Sequence, residues 1–364
     1  MNPTPFSPDF STARQRFREG ISAARGNLEH IPLGVTDQQG GRLGIDIAWF
    51  GNQRPTRALI HVCGIHGVEG FTGSAVQLAL LDNLPVLPAD AALILVHVLN
   101  PFGMTYLRRS NENNVDLNRN FFFGTGGWSG VADDYAALNG FLNPPRPPSC
   151  FDFFHLRLLL ATVNLGTTVI RQAVAGGQYR FPKGIFYGGN GLEPEAKLYS
   201  EWLTNHLKGV QELFVIDVHT GLGGYGQQTL FLRSPTVSAE KMADELQVPI
   251  ASDVIETGVM GYAHEGGHSS VYRQVLPAAR TVCLTQEFGT YSGSRLLRAL
   301  RAENQHHHFG DGRLGHWSKQ HLKKMFCPED PKWRRQVITQ GCDLVHRAAA
   351  LLFSDTDRSR SAPR

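Results

Sequence analysis

Residues 58–71 read Ala-Leu-Ile-His-Val-Cys-Gly-Ile-His-Gly-Val-Glu-Gly-Phe, an apolar run that meets a glycine and then delivers His66 and Glu69. Ala58–Val62 has the length and continuity of a central strand covered on both faces. Residues just past such a strand lie where open α/β sheets build their sites. A spacing of three lets an imidazole nitrogen and a carboxylate converge on one ion as the chain turns into a helix. Zinc accepts that mixture and, in catalytic sites, takes three protein ligands plus water. The same pair could instead cap a turn, since His-x-x-Glu alone is a common fragment.

The pattern recurs on either side. Leu43–Phe50, Ala92–Leu99, Leu213–Val218 and Thr281–Thr285 read as further apolar strands. Helical patterns cover Phe10–Ala24, Ser74–Leu81, Glu193–Leu207, Ala239–Leu246 and Ser294–Glu303. This alternation predicts an α/β fold with a mixed, mostly parallel central sheet and helices on both faces. We expect a single catalytic domain over residues 1–354. It carries an excursion at 121–191 around a helix near Phe153–Ala175, and a C-terminal helical region from about 316. Residues 355–364 read as a solvated tail.

Composition narrows the function classes. With 35 Lys+Arg against 32 Asp+Glu, the net charge of +3 is too small for an electrostatic nucleic-acid binder. No apolar stretch approaches the roughly 20 residues of a membrane span. No basic and apolar leader opens the chain. The five cysteines are scattered without a Cys-x-x-Cys, which fits reduced thiols and a cytoplasmic location.

Two later strands end as the first does. Asp217-Val-His219-Thr-Gly puts His219 at a strand end before a glycine, with Asp217 on the same face. Such a polar pair either serves a ligand or marks a strand emerging into solvent. Glu287 ends Thr-Val-Cys-Leu-Thr-Gln-Glu and is followed by Phe-Gly. It is placed to act as a general base toward water, or else it is simply solvated. Residues 106–121 hold three arginines and five asparagines, donors suited to a carboxylate or an oxyanion.

Taken in order, His-Gly-Val-Glu at 66–69, Arg-Ser-Asn-Glu-Asn-Asn-Val-Asp-Leu-Asn-Arg-Asn-Phe at 109–121, Asp-Val-His-Thr at 217–220 and Thr-Gln-Glu-Phe at 285–288 resemble the zinc carboxypeptidase (carboxypeptidase A-like) family, in a bacterial-looking branch. The resemblance spans residues ~40 to ~300. It implies one Zn2+ held by His66, Glu69 and His219, with Glu287 activating the attacking water. Arg109 would polarise the scissile carbonyl, and Asn118 with Arg119 would grip the substrate's terminal carboxylate. Asp116 would orient a ligand histidine, Asp217 could act likewise, and Tyr262 would close over bound substrate. The implied activity is a metallocarboxypeptidase on small peptides or peptide-like conjugates. The alternatives are an N-acyl amino acid deacylase of the aspartoacylase-like branch and a non-catalytic binding module.

The chain departs from the family in the ~100 residues between Arg119 and His219, longer than in digestive members, so the 121–191 excursion should reshape the pocket rim. His268, Ser269 and Ser270 follow the paired glycines where specificity is often set, and they carry no decisive charge. Gly221-Leu-Gly-Gly-Tyr-Gly226 matches a dinucleotide fingerprint, but Gln227–Leu232 reads as extended where a helix is required. His306, His307 and His308 read as surface histidines on a helix. Lys323, Lys324, Arg334 and Arg335 read as a solvated face.

Overall fold

Apolar strands alternate with amphipathic helices because each strand must be covered on both faces, and the computed structural model shows that arrangement. It describes residues 4–123, 128, 133–149, 151–167, 170, 176–234, 237–251 and 266–354. The strands are β1 (Asn27–Thr36), β2 (Arg42–Gly51), β3 (Arg57–Cys63), β4 (Ala91–His97), β5 (Glu212–Gly221), β6 (Gln228–Leu232), β7 (Ile250–Ala251) and β8 (Arg280–Gly289). They form one sheet in the order β1–β2–β4–β3–β5–β8–β6–β7. The central strands β4, β3, β5 and β8 run parallel, and β2 and β6 flank them antiparallel. The sheet is thus mixed with a parallel centre, as expected.

Alternation along the central strands feeds two cores. Leu59, Leu93, Leu95, Phe214 and Ile216 lie in one, with Phe17, Val76 and Val345 from helices at Phe10–Ala23, Gly70–Leu80 and Pro331–Phe353. Ile60, Ile94, Val96, Leu213 and Val215 lie in the other, with Tyr199, Leu203 and Tyr272 from helices at Pro194–His206 and Ser270–Val275.

Several boundaries differ for local reasons. The strand expected to reach Leu99 leaves the ladder after His97, where Leu99 and Asn100 donate to the carbonyls of Cys63 and Gly64 ahead of Pro101. The helix expected over Phe153–Ala175 runs Phe154–Leu165 and caps at Gly166, whose φ of 84° suits glycine. Residues 168–169 and 171–175 of that expectation lie outside the described residues. The helix expected at Ser294–Glu303 continues to Phe309. Strand β1 has no counterpart in the sequence reading: it is a mostly exposed edge, paired to β2 through its backbone. The Gly221–Gly226 run turns β5 into β6, and no helix opens there. Among the described residues no helix is long and apolar enough to cross a membrane. Cys63, Cys283, Cys327 and Cys342 are free.

Candidate metal centre

The parallel centre brings three strand ends to one edge. His219 on β5 is in register with Glu287 on β8, and Cys63 ends β3 beside Val218. Beyond Cys63 the chain must turn sharply, and Gly64 (φ 72°) does this where a Cβ would lie 1.9 Å from Val98 Cγ1. His66 then enters a 3-10 turn, Gly67–Glu69, that leads into the helix at Gly70–Leu80. The turn puts Glu69 back over His66.

His66, Glu69 and His219 are all buried, and one ligand atom from each lies within 4.8 Å of the others. His66 Nδ1 is 2.9 Å from Glu69 Oε1 and 3.2 Å from His219 Nδ1, which is 3.3 Å from Glu69 Oε2. A tetrahedral zinc with bonds of about 2.0–2.1 Å sets its ligand atoms about 3.3 Å apart. The two Nδ1 atoms and the carboxylate fit that spacing.

Each histidine turns its other nitrogen to an aspartate. His66 Nε2 is 3.0 Å from Asp116 Oδ1, and His219 Nε2 is 3.1 Å from Asp217 Oδ2. Burial alone would raise both aspartates, but the groups they face outweigh it. Arg109, Arg119 and His66 hold Asp116 well below the usual carboxylate range, and His219 with His268 lowers Asp217. Arg109 donates from Nε to Asp116 (3.0 Å) and from Nη1 to Glu69 (3.1 Å). Arg119 pairs with Asp116 through Nη1.

Glu287 lies beside the cluster, accepting a hydrogen bond from the Leu222 N–H at 2.9 Å. Burial, then the Glu69 carboxylate, pushes its carboxyl up to about 7, against the pull of His219 and Arg109. Asn118 Oδ1 accepts from the His268 N–H at 3.0 Å. The Phe186 ring covers the guanidiniums of both Arg109 (5.5 Å) and Arg119 (5.3 Å). The structure therefore gathers His66, Glu69, His219, Glu287, Arg109, Asp116, Asp217, Asn118 and Arg119 in one neighbourhood. Tyr262 lies outside the described residues.

His268, read only as following the paired glycines where specificity is often set, is 1% exposed, with Nδ1 2.9 Å from Asp217 Oδ2. Its only sequence signal was its place between paired glycines and the short helix at Ser270–Val275. His306 is buried rather than superficial, stacked on His316 at 3.8 Å with Nε2 3.1 Å from the Arg313 carbonyl. Lys323 and Arg334 lie over Phe71 and Phe6, so only Lys324 and Arg335 of the basic group are exposed. Phe186, with φ of 59°, gave no signal beyond its apolarity.

The model of the family described as "Protein of unknown function (DUF2817)" matches residues 6–340. No curated protein is a significant sequence match. Solved structures similar to this chain include murein-tripeptide amidase MpaA from Escherichia coli O157, at 18% identity over 79% of this chain and 95% of that one, with a TM-score of 0.38. Bovine thrombin-activatable fibrinolysis inhibitor in complex with tick carboxypeptidase inhibitor aligns at 14% identity over 94% and 96%, with a TM-score of 0.49. Carboxypeptidase A from Helicoverpa armigera aligns at 14% identity over 93% and 77%, with a TM-score of 0.45.

Proposed function

The chain belongs to the DUF2817 family, and from its buried site we propose a zinc-dependent hydrolase that cleaves an amide bond next to a free carboxylate. On this reading it is a metallocarboxypeptidase acting on small peptides or peptide-like conjugates. The observation that carries the reading is the convergence of His66, Glu69 and His219 at ligand spacing with Glu287 beside them. Zinc held there would supply Lewis-acid polarisation and a lowered water pKa. Glu287 takes the proton of the attacking water and returns it to the leaving nitrogen. Arg109, donating to Glu69 at the edge of the cluster, stabilises the developing oxyanion. Asn118 and Arg119 orient the substrate's carboxylate, while Asp116 and Asp217 hold the two ligand imidazoles.

The runner-up reading is an aspartoacylase-like N-acyl amino acid deacylase, which would draw on the same zinc chemistry.

The test is zinc analysis of the purified chain, paired with dipeptide and N-acyl amino acid panels. Glu287→Gln should retain zinc and lose about 10²–10⁴-fold in kcat. Unaltered turnover in that variant, or a wild type without stoichiometric zinc, would sink the proposal. Zinc binding with no turnover on either panel would instead mark a binding module.

A further inference from the structure

Behind His219 and Asp217 runs a chain of buried polar groups, His268, Tyr272 and Tyr199, that the proposed reaction leaves unused. Asp217 Oδ2 faces two imidazole nitrogens, His219 Nε2 at 3.1 Å and His268 Nδ1 at 2.9 Å. His268 Nε2 is 3.1 Å from the Tyr272 hydroxyl, which is 2.9 Å from the Tyr199 hydroxyl. Tyr199, Tyr272 and His268 are all buried. Asp217 Oδ1 has no partner among the described residues, so the two imidazoles alone orient that carboxylate.

The proton positions follow from chemistry. An ionised carboxylate only accepts, so both nitrogens facing Asp217 carry hydrogen. With its hydrogen on Nδ1, His268 offers the Nε2 lone pair to the Tyr272 hydroxyl. The Tyr272 oxygen in turn accepts from Tyr199. The donors therefore run one way, from Tyr199 through Tyr272 and His268 to Asp217. With Nε2 protonated, His219 keeps its Nδ1 lone pair aimed at Glu69 and His66 Nδ1.

We propose that His268 is a positioning residue that holds Asp217 on His219 and so fixes the tautomer and aim of that metal ligand, with Tyr272 and Tyr199 fixing His268 in turn. The proposal rests on the metal-site reading above. His268 also joins the metal end to the substrate end, because its backbone N–H donates to Asn118 Oδ1 at 3.0 Å. An apolar side chain would fill the space between the Phe121 and Tyr199 rings, at 5.1 and 5.8 Å, without the cost of burying an imidazole and two hydroxyls.

The experiment measures zinc affinity by chelator competition on the full chain, with melting of the metal-free variants as the folding control. His268→Leu should weaken zinc about 10–100-fold, the range for losing a group that orients a ligand. His268→Asn, whose amide can donate where Nδ1–H does, should recover most of that loss. Tyr272→Phe should weaken zinc about fivefold, the worth of one neutral hydrogen bond. Wild-type affinity in His268→Leu, or equal losses in the Leu and Asn variants, would overturn the relay. Should His268→Leu fail to fold, Tyr272→Phe decides: unaltered affinity there overturns it. A wild type that binds no zinc would instead overturn the metal-site reading, and the relay with it.

Discussion

The two aspartates that face the candidate ligand histidines are backed in opposite ways. Asp116 lies among charges, paired with Arg109 and Arg119 under the Phe186 ring. Asp217 has no arginine or lysine partner among the described residues, and its Oδ2 instead faces His219 and the His268 end of a tyrosine relay. The ionic backing lies on the 109–121 segment, which also carries Asn118, the residue proposed to hold the substrate's carboxylate. The hydrogen-bonded backing descends into the core beneath the sheet. The difference teaches that one half of this site trades stability against charge, while the other trades it against tautomer.

Removing the carboxylate tests that contrast most strongly at Asp116. Asp116→Ala leaves two mostly buried guanidiniums without their shared counter-ion, at a cost of about 3–5 kcal/mol in urea unfolding. A cost under about 1 kcal/mol would break the comparison. Asp217→Asn should cost less, about 1–2 kcal/mol, since no guanidinium loses its counter-ion there. Its larger signature should be zinc binding about 10–100-fold weaker by chelator competition. Equal stability losses at the two positions would show that the backings differ only in appearance.

A third aspartate, remote from the site, supplies a reference for an arginine-backed carboxylate. Asp46 is fully buried and pairs with Arg14, Arg18 and His30. Burial alone would raise its pKa, but the hydrogen bonds of Arg18 and Arg14 outweigh it and the folded value is lowered. The pair therefore contributes fully above the unfolded value of about 4, and the contribution disappears as pH falls through the lowered folded value. Asp46→Asn should cost about 1 kcal/mol at pH 7. Chemical denaturation across pH should show the variant and wild type converging in acid, and a constant gap would contradict the sign.

The convergence at the candidate metal centre was legible because each candidate ligand announces itself locally. His66 and His219 follow apolar runs and precede glycines, and Glu287 ends a third such run. Parallel neighbours in register then place strand ends side by side, so local position becomes shared position. Asp217 was legible for the same reason, lying 2 residues from the histidine it faces, whereas Asp116 lies 50 residues from His66 and was legible only through the motif resemblance. The buried helical histidine His306 was not. Its burial depends on His316 stacking from the next helical segment, and helical periodicity carries no record of which helix will pack where. Strand β1 escaped because a sheet edge held by backbone hydrogen bonds needs no apolar alternation.

By itself, then, the amino-acid sequence determined the α/β class, the strand ends that carry the candidate ligands and the residue types able to hold an ion. Those properties live in short-range period, charge and turn chemistry. The tertiary structure alone decided that Phe186 covers Arg119 and that His268 stands behind His219. Both contacts join segments far apart in the chain, 67 residues in one case and 49 in the other. Such meetings are set by how crossovers and the excursion pack against the sheet, and that packing energy is summed over the whole core rather than written at either partner.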